Sequence, residues 1–163
     1  IGTFDGRTSL NLAANGGDGA MVYTLDLPGS KANATGLPLE AGDKSLIEKE
    51  SSGDRYKHSA ERGRITQLFG DSATFDFSPY FGTIDLMFID GAHSYEYVLN
   101  DTRIALKLLR NGTGVILWHD YGSSEGVIRA LDELAVTDPK WAGMVRIKET
   151  NLVFIRLGGS NLK

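Results

Sequence analysis

Two short apolar runs in this chain each stop at side chains able to do chemistry. Residues 84–89 end in Asp90-Gly91-Ala92-His93, and residues 114–118 end in His119-Asp120. A carboxylate can hold a metal, orient an imidazole or take a proton, and an imidazole titrates near neutral pH. A third carboxylate, Asp26, closes the run 21–26 and follows Gly6 by 20 positions. In open α/β sheets ligands bind at the carboxyl ends of strands, and an acid at about that spacing from a glycine loop reaches the hydroxyls of a bound ribose. The competing reading is plain: Asp90 caps the next helix, and Asp26 starts the turn Leu27-Pro28-Gly29.

The elements that must position these groups alternate along the chain. Gly2 and Gly6 bracket a tight loop, and Leu10, Ala13 and Ala14 follow at helical spacing until Gly16-Gly17. A glycine loop opening into a helix brings backbone N–H groups to a ligand. Residues 21–26 and 64–69 read as strands, the second closing in Gly70-Asp71-Ser72, and a brief helix is expected over 73–81. Residues 84–89 are nearly all apolar, the pattern of a strand buried on both faces. A helix over 95–110 aligns Val98, Thr102, Ala105, Leu108 and Leu109, with Asn111-Gly112 as its stop. Ser123 or Ser124 can cap a further helix whose stripe is Val127, Ile128, Leu131, Leu134 and Ala135. Residues 144–148 and 152–157 are β-rich and close enough to pair as an antiparallel hairpin.

Residues 28–64 are rich in Gly, Ser, Lys and Glu, with one short helical candidate at 43–49. So long a polar connection inside a compact domain is expected to be a mobile lid. The alternation makes a single α/β domain over 1–163, with a mainly parallel sheet and a terminal antiparallel hairpin. Ile1-Gly2 reads as the end of a first strand, so residues before Ile1 are expected to supply the rest of it.

Composition narrows the chemistry. The 163 residues are 41% hydrophobic and 23% charged, as in a globular protein with a proper core. A formal net charge of -4 gives no footprint for nucleic acid or an anionic membrane. The absence of cysteine excludes disulfides, thiolate metal sites and a cysteine nucleophile. No apolar run reaches the roughly 18 residues that span a bilayer. The first residues do not read as a secretory signal, and a cytoplasmic location is expected.

Taken in order, the glycine loop, Asp26, Gly70-Asp71-Ser72, Phe88-Ile89-Asp90-Gly91-Ala92-His93-Ser94-Tyr95 and Trp118-His119-Asp120-Tyr121 resemble a class I S-adenosylmethionine-dependent methyltransferase. The chain is most similar to the bacterial methyltransferase type 24 domains, from Ile1 to about Leu157. The resemblance implies a doubly wound, Rossmann-like sheet of seven strands. It implies that Gly2, Thr3, Asp5, Gly6 and Thr8 surround the methionine part of the cofactor. Asp26 would hold the ribose hydroxyls, Leu27 would pack on the adenine, and Asp71 and Ser72 would lie at its edge, with Asp90 beside the cofactor. The implied reaction is methylation of a hydroxyl on a small-molecule acceptor, with no nucleic-acid or membrane partner and room for a homodimer.

In related enzymes that methylate vicinal hydroxyls, carboxylates at these strand tips hold magnesium. Here the matching set is Asp90, His119 and Asp120, and an imidazole suits a transition metal better than magnesium. Two mechanisms follow. Either His93 is the general base, with Asp90 and His119 beside it, or a divalent metal on Asp90, His119 and Asp120 acidifies the acceptor. Three alternatives stand beside the methyltransferase reading: a nicotinamide-dependent oxidoreductase using the same loop and Asp26, a metal-dependent hydrolase on Asp90, His93, His119 and Asp120, and a non-catalytic binding domain.

Overall fold

The alternating runs become six strands and four α-helices among residues 1–158, the part of the chain that the computed structural model describes. After helix α1 (Arg7–Asn15), β1 (Val22–Asp26) and β2 (Ile65–Phe69) pair in parallel, with Asp26 opposite Phe69. The second sheet has the order β3-β4-β6-β5. In it, β3 (Leu86–Ile89) runs parallel to β4 (Gly114–Trp118), and Ile89 lies opposite Trp118. The terminal hairpin is β5 (Val145–Arg146) with β6 (Val153–Leu157), and β6 is antiparallel to β4 as well. Helices α2 (Asp43–Ile47), α3 (Tyr95–Leu108) and α4 (Glu125–Thr137) complete the set.

The two sheets are joined through Ile1 and Gly2. Ile1 N donates to Phe88 O at 2.7 Å and Ile1 O accepts from Asp90 N at 3.0 Å, while Gly2 N donates to Leu25 O at 2.9 Å. Gly2 has φ 87, and a Cβ there would stand 1.8 Å from Asp90 O, so only glycine fits this close approach. These bonds set the tip of β1, carrying Asp26, beside the tip of β3, carrying Asp90.

The core lies between the second sheet and α3 and α4. Met87, Ile89, Ile116, Trp118, Val153 and Ile155 of the sheet share one buried cluster with Val98, Ala105, Leu108, Val127 and Leu131 of the helices. Each valine, leucine, isoleucine or methionine among them contributes roughly 1.5–3 kcal/mol on burial. Trp118 sits at the centre, its ring edge-on to Trp141 at 5.9 Å and its Nε1 donating to Thr102 Oγ1 at 2.9 Å. A smaller cluster of Ala13, Tyr56 and Ile65 lies under α1.

Several expectations are corrected. The sheets are mixed rather than mainly parallel: among the described residues, β4–β6 and β5–β6 are antiparallel, β1–β2 and β3–β4 parallel. Six strands form there, and Ile1 and Gly2, expected to end a further one, bond to β3 and β1. Residues 73–81 make no α-helix but a 3-10 turn at Ser78–Tyr80, where Pro79 and the Asp76 side chain close a turn too short to propagate. The central strand is buried fully on one face only, since Leu86 is 43% exposed while Met87 and Ile89 are buried. Helix α3 stops at Leu108 because Leu109 turns extended to bridge Ile84. Apart from these corrections, residues 28–64 hold 3-10 turns at Gly29–Lys31 and Ala60–Arg64 around α2, with Ala32, Asp43 and Tyr56 buried.

Thr102→Val keeps the volume but leaves the buried Trp118 N–H without a partner. We expect a loss of about 1–3 kcal/mol in urea unfolding, with the fold retained by far-UV circular dichroism.

Candidate active site

Four strand tips and the 28–64 segment enclose a cavity of about 330 Å³. Its walls include Gly2, Asp26 and Leu27 from the β1 side, Asp71 and Ser72 after β2, Asp90 and His93 after β3, and His119 and Asp120 after β4. Leu39, Asp43, Leu46, Ile47 and Lys49 close it from the segment above. Thr3, Asp5, Gly6 and Thr8 do not line it. Thr3 Oγ1 bonds Thr24 Oγ1 at 2.7 Å, and Asp5 pairs with Arg55 at 2.5 Å. Gly6, at φ 89, is pressed against the ring of Tyr56, where a Cβ would lie 2.7 Å from ring carbons.

Asp71 is spent on structure. Its Oδ1 accepts from Tyr97 Oη at 2.8 Å and from Ala73 N at 2.9 Å, and its Oδ2 accepts from Gly36 N at 2.6 Å. The carboxylate thereby ties α3, the turn after β2 and the overlying segment together. Tyr97 is held in its neutral form, its pKa raised by burial and by that bond to Asp71.

Asp90, His119 and Asp120 each offer an atom within 4.8 Å of the others. His119 Nδ1 lies 2.9 Å from Asp120 Oδ2 and 3.3 Å from Asp90 Oδ1. It is buried, yet among the described residues it makes no aligned hydrogen bond to either oxygen. A ring nitrogen and two carboxylate oxygens that converge without bonding one another suit a divalent cation with mixed nitrogen and oxygen ligands. Burial pushes the Asp90 carboxyl above its ordinary pKa, the nearby Asp120 charge adding to the effect.

His93 is clamped between two carboxylates. Its Nε2 stands 3.0 Å from Asp120 Oδ2 and its Nδ1 2.5 Å from Asp43 Oδ1, and since ionised carboxylates only accept, both ring nitrogens donate. Its backbone N–H also faces Asp43, 3.3 Å from each oxygen. The bonds to Asp120 and then Asp43 push its pKa up to about 10 against the opposing effect of burial. The same pairing, with His93 first and His119 next, holds Asp120 well below the usual carboxylate range.

Asp43, Glu40 and Lys49 escape the sequence reading. Asp43 is 2% exposed although it opens a short helix in a polar stretch, where an acid usually reads as a solvated cap. Glu40 Oε1 accepts from Gly126 N at 3.0 Å in the first turn of α4, a favourable place for an acid. The hydroxyl of Ser124 faces the Glu40 carboxylate at 3.4 Å instead of capping its own helix. Only their shared segment hinted at a place over the site.

A family model described as a methyltransferase domain, Methyltransf_24, matches residues 1–121. The chain belongs to this methyltransferase family. The match takes in every residue that lines the cavity and favours a methyltransferase over the oxidoreductase and hydrolase alternatives. No curated protein and no solved structure is similar enough to match. No helix of the methyltransferase domain, among the described residues, is long and apolar enough to cross a membrane.

The His93 clamp has a pH signature. A pKa raised from 6.5 to about 10 means stability that is full below pH 6.5 and lost as pH rises through 10. The unfolding free-energy gap between the wild type and His93→Gln is therefore expected to be widest near pH 6 and to shrink steadily toward pH 10 in urea titrations. A gap that stays constant over that range would show the clamp to be absent in solution.

Proposed function

We propose that this methyltransferase domain moves a methyl group from S-adenosylmethionine to a hydroxyl oxygen of a small molecule, assisted by a divalent cation. One observation carries the reading: Asp26, Leu27, Asp71 and Ser72 line the same cavity as Asp90, His119 and Asp120. Its volume of about 330 Å³ lies in the range of small-molecule sites. Asp26 Oδ1 carries one long bond, from Thr3 N at 3.4 Å, and so has room for a ribose hydroxyl. A doubly wound, Rossmann-like arrangement belongs to the same proposal, supported by two parallel pairs joined through Ile1 and Gly2.

S-adenosylmethionine supplies a methyl group on a positively charged sulfur. The lining suits that charge, because Asp26, Asp43, Asp71, Asp90 and Asp120 line the space, Lys49 is the sole lysine or arginine there among the described residues, and the His93 imidazolium is already paired with Asp43 and Asp120. Transfer would form an oxygen–carbon bond, break the sulfur–carbon bond with its electron pair left on sulfur, and release the acceptor's proton to solvent water, so the protein's work is alignment and making that proton acidic. Asp90, His119 and Asp120 would hold the cation, whose charge makes a nearby hydroxyl more acidic. The imidazole favours a transition metal over magnesium. His93, with both ring nitrogens engaged, holds Asp120 in place and is a poor acceptor for the substrate's proton. The reading includes a cytoplasmic setting and a small-molecule acceptor, and the net charge of -4 gives no footprint for nucleic acid.

Calorimetry with S-adenosylhomocysteine tests the donor half. Asp26→Ala is expected to weaken binding by about 2–4 kcal/mol, because two hydrogen bonds to a charged group of roughly 1.5–3 kcal/mol each are lost and Thr3 N–H offsets part of that. Unchanged affinity would remove Asp26 from the site. The acceptor half is tested by transfer of a labelled methyl group to a panel of hydroxylated metabolites. Chelation is expected to abolish transfer and added Mn²⁺ or Co²⁺ to restore it, whereas activity indifferent to chelation would remove the cation.

A further inference from the structure

We propose that the 46–52 stretch and a nucleoside compete for Asp26: Lys49 and Ser52 hold the carboxylate oxygen that a ribose diol needs, so binding of the cofactor displaces Lys49 and loosens this stretch from the sheet. The proposal rests on Asp26 being the diol site. Lys49 Nζ stands 2.8 Å from Asp26 Oδ2, and Ser52 Oγ donates to the same atom at 2.5 Å. One carboxylate oxygen has two lone pairs, and both are then in use. Gln67 Nε2 donates to Ser52 Oγ at 2.8 Å, which turns the hydroxyl proton toward Asp26. A vicinal diol brings two donors that spread over both oxygens, so one present donor must leave.

Lys49 is the donor able to go. It stands at the end of a flexible stem whose other contacts are the Leu46 carbonyl at 3.3 Å and the Phe4 ring face at 6.0 Å. Its ion pair is nevertheless sheltered, with side chains 17% and 11% exposed, so water screens it less than a surface pair and breaking it subtracts from ligand affinity. The stretch has a firm base to pivot on. Gly53 N donates to Phe4 O at 2.8 Å and Arg55 N to Asp5 O at 2.9 Å, while Tyr56 is wedged against Gly6. Gly53 itself has φ 76, a conformation open to glycine and strained for other residues, at the junction between the part that lifts and the part that stays.

The test compares S-adenosylhomocysteine with adenosine, which has the same diol and no amino-acid end, on the wild type and on Lys49→Ala and Lys49→Gln. We expect both ligands to bind either variant about threefold to tenfold tighter by calorimetry. Amides 46–52 of the wild type should also exchange faster once S-adenosylhomocysteine is bound. Equal or weaker binding of both ligands overturns the competition. Weaker binding of S-adenosylhomocysteine with adenosine unchanged also overturns it, and assigns Lys49 to the cofactor's carboxylate. Slower or unchanged exchange at 46–52 overturns the release. A wild type that binds neither ligand overturns the reading of Asp26 itself, and the competition with it.

Discussion

One carboxylate oxygen, Asp120 Oδ2, is the point on which the site depends. It stands 3.0 Å from one ring nitrogen of His93 and 2.9 Å from one of His119. Through His93 it reaches Asp43 on the segment above, while the unbonded Nδ1 of His119 stands between it and Asp90 on the neighbouring strand tip. Three pieces of chain far apart in sequence are thus fixed by one acid. Its backbone is held to that task in a left-handed conformation, φ 62, that non-glycine residues seldom take. The turn that enforces it is closed by Ser123 N and Ser124 N, which both donate to Asp120 O at 3.1 Å.

That arrangement explains why a polar segment is well seated over the cavity. Glu40 and Asp43 would be ordinary solvated acids in isolation. Placed against the first turn of α4 and against an imidazolium, they meet positive charge in a half-buried setting where the attraction is weakly screened. The segment needs few apolar anchors because its acids act as anchors. Ala32 and Tyr56 supply the remainder.

Strands, long helices and the acids at strand tips were legible because each has a local signature. Residues 114–118 and the stripe of α4 announce themselves by apolar content and period, and Asp26, Asp90, His119 and Asp120 stand where such runs stop. The structure gathers all four around one cavity. What stayed hidden depends on tertiary partners. Asp71 reads as a strand-tip ligand until Tyr97, Ala73 and Gly36 are found to use it. Asp43 and Glu40 have no pattern of their own, and their roles exist only once His93 and Gly126 lie opposite them. Gly6 reads as a loop glycine, yet its lack of a side chain serves the Tyr56 ring, 50 positions along the chain.

The place of β6 in the sheet also bears on how the chain assembles. β6 sits between β4 and β5, although it is the last strand of the described residues to be synthesised. Until it emerges from the ribosome, β4 can pair only with β3, and its other edge, from Gly114 to Trp118, is an open row of backbone donors and acceptors. Ile116 and Trp118, both wholly buried at the end, are carried by that unfinished edge. The free edge of β4 therefore closes only once residues 153–157 have been made, so the burial of Ile116 and Trp118 is completed by the end of the described chain rather than by their own βαβ neighbour.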